Sequence, residues 1–340
     1  MARPRPLERE TWEKILAESV ASAGALQRFF HVGREEIEPV LSRYPMRINP
    51  YYLSLMKTRG DGVFDQGVPD LREIHDLEGE EDPLREEELS PVPGLTHKYP
   101  DRVLFLISDQ CAMYCRFCNR KRKVGRSSIV TRETIREGLS YIRKTPSVRD
   151  VLLSGGDPLL LADHTLFTIL TELRAVNHVE IIRIGTRIPC TLPQRITPRL
   201  TRMLSGFHPL YISTHFNHPN EITPSSAKAC GRLADAGIPV GCQSVLLKGV
   251  NDSPDVMLRL MRGLLMIRVR PYYLFEADRV RGTSHFWTPV QTGLEVMRRL
   301  YDSIPGIGIP QFVIDLPGGG GKVPLLPDAP EGRIERETEG

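Results

Sequence analysis

Three cysteines within eight residues constrain this chain more than any other feature. Cys111, Cys115 and Cys118 stand in the segment CAMYCRFC. The apolar run at 103–107, just before them, predicts a buried strand. Open α/β sheets and barrels carry their chemistry where strands end in loops. We therefore expect these cysteines to belong to a functional site rather than to the packing of a core.

The spacing of the three cysteines favours an iron–sulfur cluster. A [4Fe–4S] cluster normally takes four cysteine ligands. The other cysteines of this chain are scattered singly, so one iron would stay open to bind another molecule; they are Cys190, Cys230 and Cys242. Zinc is the alternative, but zinc ligands usually come in two clusters and the sequence shows no second one. His215 and His218 also flank an asparagine, yet no third ligand is evident there.

Composition indicates an ordinary globular enzyme. The chain has 340 residues, of which 40% are hydrophobic and 26% are charged, with a formal net charge of +3. This charge is too small to favour nucleic acid as a partner. No apolar run approaches the roughly 18 residues of a membrane span, and the N-terminus lacks the apolar stretch of a signal peptide. Clustered cysteines suit a reducing compartment, so we expect a cytoplasmic protein of one or two domains.

The first part of the chain combines predicted helices with an acidic stretch. Residues 1–45 show helical patterns, the last of which would be interrupted at Glu36–Pro39. The segment 43–56, bracketed by prolines, indicates a helix–loop–helix. Residues 61–93 are acidic and poor in apolar side chains. We interpret them as a surface linker, because charge runs are usually solvated.

Strand and helix patterns then alternate regularly. Predicted strands cover 103–107, 149–154, 179–186, 209–214, 238–246 and 268–276. Predicted helices cover 131–144, 163–175, 197–205, 224–236 and 254–265. Thr131 and Asp163 are candidate N-caps for the first two helices. This alternation predicts parallel strands with right-handed crossovers, but periodicity does not separate a doubly wound sheet from a barrel.

Two glycine-containing motifs follow predicted strands. In Ser154-Gly155-Gly156-Asp157-Pro158, the glycines would let the backbone approach a ligand closely, although such a motif by itself more often marks a turn. The second motif, DLPGGGGK, runs from Asp315 to Lys322 and lacks the first glycine and the Ser/Thr of a Walker A loop. A lysine on a mobile glycine arm can form a Schiff base with an aldehyde cofactor when desolvation removes its proton.

Together these motifs resemble a known family. CxxxCxxC with an aromatic residue, Phe117, before the last cysteine is similar to the signature of radical S-adenosylmethionine enzymes, and stretches from Arg43 to Pro324 resemble lysine 2,3-aminomutases. The resemblance implies an α/β fold built on a partial (β/α)6 barrel. It further implies a helical N-terminal region with the acidic linker at 1–95, the barrel at 96–290, and a C-terminal segment at 291–340 that carries the lysine arm.

The resemblance also implies cofactors and the residues that hold them. The [4Fe–4S] cluster would be held by Cys111, Cys115 and Cys118. S-adenosylmethionine would be bound by Ser154, Gly155, Gly156, Asp157 and His215. Pyridoxal 5'-phosphate would be bound by Arg102, Gln243 and Lys322, with Lys322 as the catalytic residue. The chain ends soon after Lys322 and its tail has no cysteine or histidine, so we expect no zinc-binding C-terminal extension.

Charge complementarity predicts the substrate. By resemblance, Arg120 binds the carboxylate of a free amino acid, while Asp278 and Asp315 bind the ε-ammonium of lysine. For either aspartate alone, a strand-end cap is the alternative. Two acidic residues would repel a glutamate side chain. We therefore expect an L-lysine 2,3-aminomutase, an isomerase that gives β-lysine, with a flavodoxin or ferredoxin as electron donor and a homo-oligomeric assembly.

Three other functions remain open at this stage. The first is an aminomutase that acts on another amino acid. The second is β-lysine synthesis dedicated to the modification of elongation factor P. In its short length the chain resembles the enzymes that make β-lysine for this modification. The third is a cluster-carrying redox or sensory protein without catalysis. Lys322 and the two aspartates argue against the third function, because electron transfer needs neither a Schiff-base lysine nor paired carboxylates.

Overall fold

The computed structural model describes residues 11–126, 129–316 and 320–326. Within these residues, nine strands form one sheet in the order of the sequence. Strands β2 to β8 run parallel to one another, and β1 and β9 pair antiparallel at the two edges. The strands are β1 (Leu95–Tyr99), β2 (Arg102–Ser108), β3 (Asp150–Gly155), β4 (Ile181–Gly185), β5 (Leu210–Thr214), β6 (Val240–Val245), β7 (Arg270–Phe275), β8 (Gln311–Leu316) and β9 (Gly321–Pro324).

Helices fall into two groups. Six short helices precede the sheet: α1 (Thr11–Ala17), α2 (Ala23–Leu26), α3 (Arg34–Leu41), α4 (Pro50–Leu53), α5 (Phe64–Gly67) and α6 (Arg72–His75). Longer helices connect the parallel strands: α7 (Arg132–Lys144), α8 (Asp163–Arg174), α10 (Pro198–Ser205), α11 (Pro224–Asp235), α12 (Pro254–Met266) and α13 (Val290–Tyr301), with the single turn α9 (Ile188–Thr191) after β4. No helix in the described ranges is both long and apolar enough to cross a membrane.

The predicted partial (β/α)6 barrel is confirmed. The six predicted strands overlap β2 to β7, and six strand–helix units lead from β2 through α13 to a seventh parallel strand, β8. The register runs on from strand to strand: Val103 lies opposite Val151, Val151 opposite Ile182, and Ile182 opposite Leu210. All four side chains are buried, as expected for parallel strands that helices cover.

The sheet curls until its two edges approach each other. The ammonium of Lys98 on β1 lies 2.8 Å from a carboxylate oxygen of Asp315 on β8. Strand β9 adds to this edge, since Asp315 pairs with Lys322 in the antiparallel β8–β9 ladder. Sequence analysis did not predict β1, β8 or β9; of these, β1 and β9 are short and rich in polar residues or glycine. These unpredicted strands therefore bring the two ends of the barrel segment together.

The two predicted N-caps differ in outcome. The Thr131 hydroxyl accepts a hydrogen bond from the Thr134 backbone N–H at the start of α7, as predicted. The prediction for Asp163 is wrong, because Ala162 occupies the N-cap of α8. Asp163 is instead the first helical residue, and its carboxylate lies 2.7 Å from the buried guanidinium of Arg195. An acidic side chain in the first turn also interacts favourably with the helix dipole.

Two interpretations of the N-terminal region are wrong. Pro39 does not interrupt its helix, since α3 continues to Leu41. Residues 61–93 are not a surface linker: they contain α5 and α6, and their acidic side chains Glu73, Asp76 and Glu86 are buried. Buried carboxylates are costly unless paired. Their partners lie far along the chain, which is why a local charge pattern did not reveal them.

Candidate active site

The cysteine loop leaves the end of β2 and is held by the N-terminal region. Arg47 donates to the carbonyl oxygen of Cys111 at 3.2 Å, and the Asn49 side chain donates to that of Ala112 at 3.1 Å. The backbone N–H of Arg116 donates to the Gln66 carbonyl at 2.9 Å. A loop has no regular helix or strand hydrogen bonds that would satisfy its backbone N–H and carbonyl groups. The segment 47–66 therefore supplies the partners that give the loop one conformation.

The thiols of this loop suit a cationic group. All three cysteines are half-buried and free of disulfides. Burial, together with neighbouring negative groups, raises the pKa of Cys111 well above its usual range and that of Cys118 to about 11. A bound metal reverses this preference, because a coordinating thiol loses its proton outright. The three cysteine thiols therefore fit a positively charged group such as a metal centre.

A multi-iron cluster fits the arrangement better than a single ion. Among the described residues, no three His, Cys, Asp or Glu side chains converge closely enough to hold one metal ion. In a [4Fe–4S] cluster each cysteine binds a different iron, so the three sulfurs need not converge on one point. The two histidines considered above are engaged locally: His215 with Asn217 at 2.9 Å, and His218 with the backbone of Asn220 at 3.2 Å.

Arg187, at the end of β4, contacts the cysteine loop directly. Its guanidinium donates to Sγ of Cys115 at 2.9 Å, to Gln66 at 2.5 Å and to Glu221 at 2.8 Å. It also lies 5.3 Å from the centre of the Phe117 ring. Its Nε is buried without a hydrogen-bond partner. A fixed positive charge therefore stands beside a thiol that would carry negative charge when bound to iron.

The SGGDP motif packs against the start of the cysteine loop. Gly155 has a φ of +130°, and a Cβ there would stand 2.1 Å from the carbonyl oxygen of Ser108. A Cβ on Gly156 would stand 2.4 Å from the carbonyl oxygen of Gln110. Only glycine allows this approach. In the structure the two glycines bring the ends of β2 and β3 together, and their approach to a ligand stays a prediction.

Asp157 links the same motif to the next strand. Its carboxylate accepts hydrogen bonds from the Thr186 hydroxyl at 2.7 Å and from the Arg187 backbone N–H at 2.7 Å. The side chain is buried, and burial raises its pKa to about 6, although these donors oppose the shift. Asp157 thus fastens the end of β3 to the end of β4, next to the arginine that contacts Cys115.

His215 lies at the other side of the loop. Its ring centre is 5.6 Å from that of Phe117, which in turn packs edge-on against Phe286 at 6.1 Å. Burial, and next the charge of Arg187, lower the pKa of His215 to about 3. The imidazole is therefore neutral at physiological pH. An aromatic wall with a neutral polar edge fits an adenosine group, whose rings are apolar on their faces and polar on their edges.

Arg120 is already paired with a carboxylate. Its Nε and Nη2 donate to Glu86 at 2.9 and 2.6 Å, and its Nη1 lies 3.5 Å from the Ser154 hydroxyl. Sequence analysis missed Glu86, because it falls in the acidic stretch that was interpreted as a linker. A signal does exist in the sequence: Glu86 belongs to an acidic run, and basic residues follow the last cysteine at 120–123.

The two predicted ammonium ligands, Asp278 and Asp315, interact electrostatically. Asn119 donates to the Asp278 carboxylate at 3.1 Å. Burial raises the pKa of Asp278 to about 6, with Asp315 adding to the rise and with Arg120 and Lys322 opposing it. Asp315, Arg120 and Lys322 therefore all lie within electrostatic reach of Asp278. The role of the two aspartates as ligands of an ammonium group stays a prediction.

Lys322 faces Asp315 and an aromatic surface. Its ammonium donates to Asp315 at 3.0 Å and lies 5.6 Å from the centre of the Phe275 ring. Tyr99 is the centre of a group of cations: Arg102 lies over its ring at 4.0 Å, and Lys98 and Lys322 at 5.8 Å. The expected glycine arm falls partly on 317–319, outside the described residues.

This cationic group fits an anionic aldehyde cofactor. Lys98 and Arg102 offer positive charge for a phosphate beside the lysine that would bind the aldehyde. Gln243 lies on β6 and accepts a hydrogen bond from the Tyr272 hydroxyl at 3.0 Å. Sequence analysis did not identify Lys98, which lies on β1, a strand that it did not predict.

Comparisons with known proteins agree with this arrangement. Residues 105–261 match the model of the Radical SAM superfamily. The chain is 51% identical to the L-lysine 2,3-aminomutase of Fusobacterium nucleatum over 93% of its length and 76% of that protein, and 49% identical to that of Clostridium subterminale over 93% and 78%. It is 44% identical to the glutamate 2,3-aminomutase of Clostridioides difficile over 86% and 70%.

Among solved structures, a radical SAM methyltransferase from Sphaerobacter thermophilus overlays with a TM-score of 0.48 at 16% identity, over 65% of this chain and 68% of that one. The sequence identities to the aminomutases are much higher and extend over most of both chains. Together with the cysteine loop at the end of β2, they show that the chain belongs to the L-lysine 2,3-aminomutase family of the radical SAM superfamily.

Proposed function

We propose that this protein is an L-lysine 2,3-aminomutase, which moves the α-amino group of L-lysine to C3 and gives β-lysine. The observation that carries the proposal is the grouping of Asp278, Asp315 and Lys322 at the curled edge of the barrel, within electrostatic reach of one another. Relatives with this activity at about half identity support it. A free amino acid with a cationic tail matches this grouping of charges.

The contact between Lys322 and Asp315 supports the proposed binding of the substrate tail. In this structure the Lys322 ammonium stands 3.0 Å from Asp315, and it is chemically the same group as the ε-ammonium of lysine. With Lys322 engaged by an aldehyde cofactor, that carboxylate oxygen would be available to the substrate. Lys98 stays paired with the other oxygen at 2.8 Å and holds the carboxylate in place.

Other residues of the chain would position the reactants. Cys111, Cys115 and Cys118 would hold the [4Fe–4S] cluster, while Arg102 would bind the cofactor phosphate. When bound, the cluster with S-adenosylmethionine supplies a carbon radical that abstracts hydrogen, and pyridoxal phosphate supplies the π-system for nitrogen migration. The barrel contributes orientation and the exclusion of water. Radical generation needs an electron, and we propose a flavodoxin or ferredoxin as its donor.

The direct test is product analysis. Anaerobic protein with reconstituted cluster and pyridoxal phosphate is incubated with S-adenosylmethionine, dithionite and either L-lysine or L-glutamate. We expect β-lysine. Each charge-assisted hydrogen bond to the ammonium contributes about 1.5–3 kcal/mol, so Asp278→Asn and Asp315→Asn should each lose roughly one to two decades of kcat/KM. The matched control is Asp255→Asn, because Asp255 is an exposed aspartate on α12.

The competing result is specific. If L-glutamate is the better substrate and both asparagine variants turn over L-lysine normally, the aspartates are strand-end caps and the substrate assignment fails. The lysine assignment has its own test, since borohydride reduction should attach the cofactor to the peptide that contains Lys322. An adduct on another lysine, such as Lys248, would contradict that role.

A further inference from the structure

Glu86 and Arg120 form a buried pair beside the candidate substrate site. Glu86 accepts from Nε of Arg120 at 2.9 and 3.2 Å and from Nη2 at 2.6 Å. Their side chains are only 7% and 14% exposed. The two residues are 34 positions apart, so the pair joins the acidic N-terminal stretch to the segment that follows the last cluster cysteine.

The pairing uses one edge of the guanidinium and leaves another open. A guanidinium can bind carboxylates along its Nε–Nη2 edge or along its Nη1–Nη2 edge. Glu86 takes the first edge. Nη1 points toward the Ser154 hydroxyl, at 3.5 Å, where β3 ends. A second carboxylate can therefore approach Arg120 from the site while Glu86 remains in place.

Glu86 also keeps the opposite charges of the site apart. Arg120 and Asp278 lie within electrostatic reach of each other. A site for a zwitterion needs a cation for one end of the substrate and an anion for the other, and without further groups these would pair with each other. Glu86 engages Arg120, and Asn119, a neutral donor, engages Asp278 at 3.1 Å. Each binding group is thus held in place before the substrate arrives.

We propose that Glu86 is a positioning residue, which fixes Arg120 so that its open edge binds the α-carboxylate of the amino acid substrate. The inference rests on the proposed function, since it takes the carboxylate role of Arg120 from there. Such preorganisation lowers the cost of ordering the arginine at the moment of binding. Glu87 serves as the comparison: it is 63% exposed and pairs with Arg122 and Lys123, which also lie 3.8 and 3.6 Å from Glu86.

The experiment compares Glu86→Gln with Glu87→Gln in the reconstituted enzyme. We expect Glu86→Gln to raise the KM for L-lysine on the order of tenfold with little change in kcat, the pattern expected when binding alone is lost. Glu87→Gln should leave both constants unchanged. A second readout is inhibition by 1,5-diaminopentane, which carries the ammonium but no carboxylate. Its inhibition constant should stay the same in Glu86→Gln.

Arg120→Gln separates the possible failures. If Arg120→Gln raises the KM for L-lysine and Glu86→Gln does not, the positioning role is overturned and the proposed function stands. If Arg120→Gln also leaves the KM unchanged, the carboxylate assignment itself fails. Equal weakening of L-lysine and 1,5-diaminopentane in Glu86→Gln would indicate general damage and would overturn the proposal.

Glu86→Asp covers the case in which Glu86→Gln does not fold. This variant keeps the charge but shortens the side chain by one methylene, so it pulls Arg120 away from the site. Its KM for L-lysine should rise while inhibition by 1,5-diaminopentane is preserved. A KM equal to that of the unmodified enzyme would again overturn the positioning role.

Discussion

Replacing Glu73 with glutamine should destabilise the fold and loosen the cysteine loop. Glu73 is fully buried and stands between two cations of that loop: Arg116, whose Nε donates to it at 2.9 Å, and Lys121, at 2.6 Å. Burial alone would raise the pKa of Glu73, but these cations lower it overall. The substitution leaves both cations buried without a counter-charge.

The size of the effect follows from this burial. Removing one partner of a buried ion pair typically costs about 3–5 kcal/mol, a large share of the roughly 5–15 kcal/mol that stabilises a native protein. With an unfolding entropy of about 2.1 cal/mol/K per residue, this loss over 340 residues lowers the melting temperature by about 4–7 °C.

The loss should also depend on pH. Burial lowers the pKa of Lys121 to about 8, although Glu73 opposes the shift. Without Glu73 this pKa falls further, so the variant releases the Lys121 proton at a lower pH than the unmodified protein does. Between the lowered pKa of Lys121 in the variant and the pKa in the unmodified protein, the folded variant holds fewer protons than the folded unmodified protein. The free energy of unfolding of the variant therefore rises more steeply with pH. The difference in melting temperature should narrow as the pH approaches 8.

Anaerobic thermal unfolding at a fixed scan rate measures this directly, with iron content as a second readout. The matched control is Glu133→Gln on α7, where Glu133 and its partner Arg136 are 56% and 75% exposed. Exposed pairs contribute about 0–1 kcal/mol, so the control should shift the melting temperature by less than about 1.5 °C. A Glu73→Gln shift no larger than that of the control would refute the reasoning.

Three further predictions concern the site. Burial raises the pKa of Asp278 to about 6, so the KM for L-lysine should rise as the pH falls below about 6; Asp278→Asn should lack this step, and identical pH profiles would contradict it. Arg187→Gln removes a hydrogen bond to Sγ of Cys115. Because such bonds favour the reduced cluster, redox titration followed by EPR should give a more negative midpoint potential of the cluster. An unchanged potential would argue against this role of Arg187. Gly155→Ala would put a Cβ 2.1 Å from a carbonyl oxygen of β2 and should lower the melting temperature more than Gly249→Ala, where the φ is also positive but the space is open; equal effects of the two substitutions would show that the close approach does not matter.

Much of the barrel was predictable because its signals are local. Strand patterns of five to nine residues marked β2 to β7, and five of the helices between them were predicted to within two residues: α7, α8, α10, α11 and α12. The cysteine loop, the SGGDP motif and the DLPGGGGK motif each lie within a few consecutive residues. The short strands β1 and β9 carry polar residues and glycine, so their pairing depends on the curled sheet rather than on their own pattern.

The sequence by itself determined the cysteine loop after a buried strand and the alternation that builds the barrel. Only the tertiary structure decided which charges pair with which. Glu73 and Glu86 looked like part of a solvated acidic stretch, yet they are buried against Arg116 and Arg120, 43 and 34 residues away. Coulombic attraction depends on distance in space and on burial, and neither is encoded in a local pattern of charge.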